Sequence, residues 1–400
     1  MKLYYDDEDY DAQLKRSFAA AHSGAADLGE VLVAAAAAKP GDPDGWFVQW
    51  SAAAERAEAI AKGAGSHPIT AAGAWLRAME YWRQAIFFIR GDLDDERLQS
   101  GWRRHRAAFR AALPGLPWGA TIAEIPLEAA TMTGYLLRQP GPPAPRPTVI
   151  VFPGYDSTAE SGYSDTAWMA LARSMDVFLF EGPGQGGMLY EQRVPMRPDF
   201  EAALTPALDW LLAQDGVNPA KLVLVGRSLG GYLGPRGAAH EHRLSALVAD
   251  PGQYEFVSRI RKMMLPRFLP ESWGEAAWDK VVAADPAADA LLEQLLKVPA
   301  LREMLMPRMA TMGATTVGDF LRILAGYTLE GQAGLIACPT LVVDCAGDFA
   351  SQSDMLYAAL ACEKTMVKLD AESGAGGHCG GLGQQVWADA VFPWIADTLA

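Results

Sequence analysis

The chain has 400 residues, half of them hydrophobic and a fifth charged, the profile of a globular protein large enough for one big domain or two. Its 34 Lys and Arg against 48 Asp and Glu leave a net charge of −14, which argues against nucleic acid or an anionic membrane as a partner. The N-terminus "MKLYYDDEDYDAQ" has no apolar segment of the signal-peptide kind and no apolar run could span a bilayer, so a cytoplasmic protein is expected.

Residues 1–115 read as helical throughout. "GWFVQWSAAAERAEAIAKGAG" and "PITAAGAWLRAMEYWRQAIFFIRG" carry apolar residues at helical spacing and end in glycine. No fixed period recurs, so a solenoid is not expected. Trp46, Trp50, Trp75, Tyr81, Trp82, Phe87 and Phe88 predict a helix–helix core, with a few rings left for a pocket wall. The acidic "DLDDER" at 92–97 precedes the basic "WRRHRAAFR" at 102–110. Acid first and base last predicts one solvated helix, its charges matched by the dipole and by i,i+4 pairs.

From about residue 121 the texture changes. "IAEIPLE" and "TMTGYLLRQP" predict a hairpin, followed by the loop "GPPAPRP". The runs "TVIVFPG", "DVFLFEGPG", "KLVLVG", "SALVAD", "TLVVD" and "TMVKLD" then alternate with helical stretches, the last at about 384–398. Continuous apolar strands separated by helices predict a parallel sheet covered on both faces. One interval breaks the alternation: between Asp250 and Thr340 the pattern is helical. It holds Met263, Met264, Met304, Met306, Met309 and Met312, which suit either an adaptable pocket wall or plain packing. The expected division is a helical cap-like segment at 1–120, an α/β core at 121–251 and 336–400, and a helical lid insertion at 252–335. Cys338, Cys345, Cys362 and Cys379 lack metal-type spacing and read as reduced thiols. No metal or cofactor is expected.

The chemistry concentrates in "KLVLVGRSLGGYLG". Four apolar residues run into Gly226-x-Ser228-x-Gly230, a serine on a sharp strand-to-helix turn whose neighbours must be small because strand and helix pass so closely. A hydroxyl needs a base and a carboxylate to hold that base. Of six histidines only His378 follows the last strands, in the flexible "GAGGHCGGLG". The carboxylate is expected after the preceding strand, in "TLVVDCAGDFASQSD", with Asp348 chosen over Asp344. Main-chain donors for an oxyanion are expected from Leu229, after the serine, and from Tyr155 in Pro153-Gly154-Tyr155. "FEGPGQG" at 180–186 lacks the Lys-Ser/Thr of a phosphate loop and reads as a tight turn beside the site.

Together "FPGYDST", "FEGPGQG", "GRSLGGYL", "CPTLVVDCAGD" and "GAGGHC" resemble the α/β-hydrolase group that includes dihydroxypseudooxynicotine hydrolase and fungal polyketide-shortening hydrolases. The resemblance covers about 121–400 by motif and 1–120 only in general character. It implies an α/β-hydrolase fold, a Ser228–Asp348–His378 triad, no cofactor and a homodimer. It also implies hydrolysis of a small molecule, in several members at a carbon–carbon bond beside a ketone. Two features depart from the group. The segment 251–339 looks longer than in the nicotine-pathway enzyme, and Gly234-Pro235 falls early in the helix after the serine, where proline would kink it. An extra carboxylate that assists one such enzyme would here be Asp250 or Glu255, unless each is only a loop acid.

The leading expectation is therefore hydrolysis of a small, largely apolar ketone or ester. Esterase, thioesterase or peptidase activity would use the same residues. A cyclase, an acyltransferase or a ligand-binding protein on this scaffold is the alternative of another class.

Overall fold

In the computed structural model, which describes residues 2–152, 154–274 and 276–400, the chain opens with helices and continues into one large sheet. Helices α1 (Glu8–Ala20), α2 (Leu28–Ala37), α3 (Pro43–Gly63), α4 (Pro68–Ile86) and α5 (Glu96–Ala112) come first. Four of the five begin on an aspartate whose carboxylate accepts main-chain N–H groups of the first turn: Asp7, Asp27, Asp42 and Asp95. Each such cap stabilises its helix by about 1 kcal/mol.

Eight strands follow: β1 (Gly119–Leu127), β2 (Ala130–Arg138), β3 (Thr148–Phe152), β4 (Asp176–Phe180), β5 (Leu222–Arg227), β6 (Ala246–Asp250), β7 (Thr340–Cys345) and β8 (Lys364–Leu369). Their order in the sheet is β1-β2-β4-β3-β5-β6-β7-β8. The β1–β2 hairpin and the β2–β4 pairing are antiparallel; from β4 to β8 every pairing is parallel. This is the covered parallel sheet expected from the alternation of strands and helices, in the α/β-hydrolase arrangement that the resemblance implies.

The two-residue period of the strands divides the core in two. Val149, Val151, Val177, Leu179, Val223, Val225 and Val343 face one side, where they pack with Met169, Trp387 and the N-terminal helices. Ile150, Phe152, Phe178, Phe180, Leu222, Leu224 and Val342 face the other. There the helices Glu201–Leu212 and Gly230–Ala238 and the segment between β6 and β7 cover them. Both faces are therefore buried, which is why these strands read as unbroken apolar runs.

Trp46, Trp50 and Trp82 are buried among the N-terminal helices; Trp46 packs against Tyr10 and Phe88, and Trp50 against Tyr81. The segment between β6 and β7 is helical, with Pro299–Met312 and Val317–Ala325 its longest helices. Met309 and Met312 are buried in the core there, Met304 packs at its edge, and the side chains of Met263 and Met264 lie outside the described residues. One helix, Gly230–Ala238, runs through Pro235.

The basic stretch of α5 departs from the solvated helix predicted. His105 is fully buried, and Arg106 reaches Glu160, Glu181 and Glu191 at 3.2, 2.8 and 3.3 Å. The partners come from loops after β3 and β4, far along the chain, so i,i+4 reasoning within one helix could not find them.

Candidate active site

Ser228 occupies the turn between β5 and the helix Gly230–Ala238, with φ of 56°, a left-handed conformation that few non-glycine residues adopt. Its N–H donates to the Asp250 carbonyl at 2.7 Å, and its own carbonyl accepts from Gly231 N at 2.8 Å. The small neighbours are required by space. A Cβ on Gly226 would lie 2.1 Å from the Gly230 carbonyl oxygen, and one on Gly231 would lie 2.0 Å from that of Pro251. The bonds and the close approach together hold a strained residue with its hydroxyl clear of the sheet.

Two loops deliver partners to that hydroxyl. His378 Nε2 lies 2.8 Å from Ser228 Oγ, and His378 Nδ1 lies 2.9 Å from Asp348 Oδ1. The His378 loop is fixed by a hydrogen bond from Gly377 N to the Ala346 carbonyl at 2.9 Å, and the imidazole rests on the ring of Phe349. The Asp348 side chain is fully buried. Burial works against its negative charge, but the His378 ring and the N–H groups of Cys379 and Ala350 outweigh it and hold the carboxyl below its ordinary pKa. Asp344 points elsewhere, accepting from the Ser351 hydroxyl at 2.7 Å. The structure thus brings Ser228, His378 and Asp348 together and leaves Asp344 apart.

Behind the turn sits an ion pair that sequence reasoning did not single out. Arg227 Nε donates to Asp250 Oδ2 at 3.0 Å. Its other nitrogens donate to the Asp165 carbonyl, to Gln384 Oε1 and to the Cys379 carbonyl, and the guanidinium carbon lies 4.4 Å over the Trp387 ring. Burial raises the pKa of Asp250, opposed by Arg227 and reinforced by the charge of Asp348. Glu255 instead accepts from Ser258 N at the start of the insertion. No motif announces an arginine before the serine; its partners lie up to 157 residues away.

Gly154 touches Ser228, and Tyr155 follows it; Pro153 lies outside the described residues. Among the described residues the N–H groups of Tyr155 and Leu229 donate to no protein acceptor. The turn after β4 braces this loop, with Gln185 Nε2 donating to the Gly154 carbonyl at 2.7 Å. From the N-terminal helices Arg16 bonds Asp156 Oδ2 at 2.9 Å and Ser157 Oγ at 3.1 Å. Asp156 is held far below its ordinary pKa: burial opposes the charge, and Arg16, Arg90, Arg83 and His378 overcome it.

Donor atoms of Asp348, His378 and Cys379 lie within 4.8 Å of one another, a spacing a metal ion could bridge. Both ring nitrogens of His378 are already engaged, by Asp348 and Ser228, and burial first, then the charge of Asp250, keeps the Cys379 thiol protonated. The set is suited to proton transfer rather than to metal ligation. Among the described residues no helix is long and apolar enough to cross a membrane.

Comparison with known proteins gives a consistent picture. The chain is 33% identical over 378 residues to the alpha/beta hydrolase psoB of Aspergillus fumigatus, covering 87% of this chain and 82% of that one. It is 29% identical over 397 residues to the 20-hydroxy-prefusarin hydrolase FUS2 of Gibberella moniliformis, covering 94% and 93%. Among solved structures, 2,6-dihydroxy-pseudo-oxynicotine hydrolase superposes over 96% of this chain and 95% of its own, with a TM-score of 0.73 at 23% identity, a likeness of fold. No protein-family model matches the chain.

Proposed function

The chain belongs to the α/β-hydrolase family, and on that footing we propose that it is a serine hydrolase of a small carbonyl-containing metabolite, acting by acyl transfer through Ser228. The observation that carries the reading is the continuous line from Ser228 Oγ through His378 to Asp348, with contacts of 2.8 and 2.9 Å. These are hydrogen-bond distances at which a proton can pass.

In this reading Ser228 Oγ attacks the carbonyl carbon while His378 Nε2 takes its proton. Asp348 holds the ring by its Nδ1–H and stabilises the imidazolium that forms. The N–H groups of Tyr155 and Leu229 receive the oxyanion. His378 then returns its proton to the leaving group, and water, activated by the same ring, releases the acyl group. An alkoxide, thiolate, amine or stabilised carbanion can leave by this route. A carbanion requires an electron sink, so carbon–carbon cleavage selects a β-dicarbonyl or acyl-phenol substrate. The name of one relative, 20-hydroxy-prefusarin hydrolase, supports a small-molecule substrate.

We assign residues 1–115 and the insertion between β6 and β7 a covering role over the site. Arg16 and Arg90, from the N-terminal segment, and Arg308, from the insertion, reach the loop after β3. A dry, closed site strengthens the oxyanion contacts and shields a carbanion from stray protons.

The test is labelling with a fluorophosphonate probe, followed by peptide mapping. The reading expects one adduct on Ser228 and none in Ser228→Ala. An adduct elsewhere, or none in the wild type, overturns it.

A further inference from the structure

We propose that Arg90 and Arg308, on the ring of Tyr155, form an anion-binding subsite, so that the molecule accepted beside Ser228 is a carbonyl compound bearing a carboxylate. The assignment deepens the hydrolase reading and rests on it for the place of the reacting carbonyl.

Buried guanidinium groups elsewhere in this chain are neutralised by its own acids. Arg83 meets Glu80 at 2.7 Å, Arg106 meets Glu181 at 2.8 Å and Arg227 meets Asp250 at 3.0 Å. Arg90 is an exception. It is 6% exposed, and among the described residues no carboxylate lies within 4.0 Å of it. Its Nε donates to the Phe87 carbonyl at 2.8 Å, and its guanidinium lies 4.0 Å over the Phe87 ring and 5.8 Å from the Tyr155 ring centre. All of these partners are neutral. The charge of Asp156 acts on Arg90 from beyond contact range, and a buried cation with no carboxylate touching it favours an anion brought by the ligand.

Arg308, half-buried, approaches the same ring from the insertion. On the helix Pro299–Met312 it donates to the Met304 carbonyl, and its guanidinium carbon lies 5.4 Å from the Tyr155 ring centre; that of Arg90 lies at 5.8 Å. It too has no carboxylate within 4.0 Å among the described residues, although Asp9 acts on it at longer range. The remaining acids nearby are engaged: Asp156 by Arg16 at 2.9 Å, Glu303 by the Tyr10 hydroxyl at 3.0 Å, and Glu191 by Trp102 and Arg106. Neither arginine of the pair therefore has a carboxylate in direct contact; the charges of Asp156 and Asp9 reach them only at longer range.

Its position ties it to the chemistry. Tyr155 follows Gly154, which touches Ser228, and the charge of Asp156 is felt by both Arg90 and His378. Paired planar donors fit a carboxylate better than a neutral amide, since arginine presents two parallel N–H groups.

The experiment is calorimetric titration of the full-length Ser228→Ala chain with 4-oxo-4-phenylbutanoate and with its primary amide. The acid is expected to bind at least about tenfold more tightly than the amide, a preference falling to about twofold or less when Arg90→Gln or Arg308→Gln is added. Equal affinities in Ser228→Ala, a preference that survives both arginine changes, or millimolar concentrations binding neither probe would each overturn the subsite. Thermal melts accompany every variant, and Arg90→Lys with Arg308→Gln replaces Arg90→Gln if that chain fails to fold. Because Ser228→Ala needs no nucleophile, the outcomes separate. Labelled Ser228 without acid preference rejects the subsite alone, and acid preference without labelling rejects the serine mechanism alone.

Discussion

Gly154 stands flush against Ser228: a methyl group on Gly154 would lie 2.7 Å from the serine Cβ and 3.0 Å from its Oγ. The Oγ can rotate, but the Cβ is fixed by the turn. Gly154→Ala must therefore displace either Ser228 or the loop bearing Tyr155. The expected result is a folded protein with kcat lowered at least about tenfold. Steady-state kinetics beside a thermal melt checks it, and a fully active Gly154→Ala would contradict the geometry.

Ser228 itself carries backbone strain at φ of 56°. Ser228→Ala keeps the strain and loses the hydroxyl, so turnover should fall below about a hundredth with stability little changed. Ser228→Gly should be just as inactive but more stable, by about 1 kcal/mol, because glycine adopts this conformation freely. Chemical denaturation of the three proteins gives the order.

Asp348→Asn should cost roughly a thousandfold or more in kcat, because an amide cannot hold the imidazole as an anion does. Asp344→Asn, which disturbs a bond to Ser351, should stay within about threefold of wild type. The Asp348 carboxyl is held below its ordinary pKa in the folded chain, so it is the folded form that resists protonation. Its contribution to stability is present above the unfolded value of about 4 and is lost as pH falls through the lower folded value.

Arg227→Met would leave Asp250 buried without its cation, at an expected loss of about 3–5 kcal/mol in unfolding free energy. Arg227→Lys should restore part of that stability by keeping the charge. It cannot reach Asp250, Gln384 and the Cys379 carbonyl together, so kcat should remain low even in the rescued protein. Recovery of both quantities in the lysine variant would show the fork geometry to be unimportant.

Glu181 is pushed up to about 7, by burial first and by the charge of Glu160, against the pull of Arg106. A glutamate with a raised folded pKa holds a proton that the unfolded chain releases, so stability falls as pH climbs from about 4.5 to about 7. Glu181→Gln, which mimics the protonated form, should lack this decline. Melting temperatures of both proteins across that window test it; parallel curves would reject the assignment.

The parts legible in the sequence were those with local signatures. Val149 to Val151 and Leu222 to Val225 read as buried strands because both sheet faces are covered, and Ser228 was marked by the glycines that the crossing of strand and helix demands. The positions of His378 after β8 and of Asp348 after β7 single them out in the sequence, and the structure brings both to Ser228. What the sequence hid was charge pairing between distant segments. Arg106 reaches acids 54 to 85 residues away, and Arg16 reaches Asp156 across 140. Helical spacing describes neighbours within one element, so it assigned α5 to water and left Arg227 as a bystander.

The Arg227 side chain closes chain loops of 23, 62, 152 and 157 residues at once. Its acceptors lie on both sides of the insertion, and one belongs to the C-terminal helix Gln384–Thr398. The two longest closures cannot form before both halves of the chain have docked, and each carries an entropic cost that grows with its length. The turn bearing Ser228 can be made early, from neighbouring residues; the loop bearing His378 is clamped to it only at the end. In refolding from denaturant, enzymatic activity should therefore reappear after helical ellipticity has returned. Cutting the chain before Gln384 should silence the site even though the strands that hold Ser228, Asp348 and His378 are all still present.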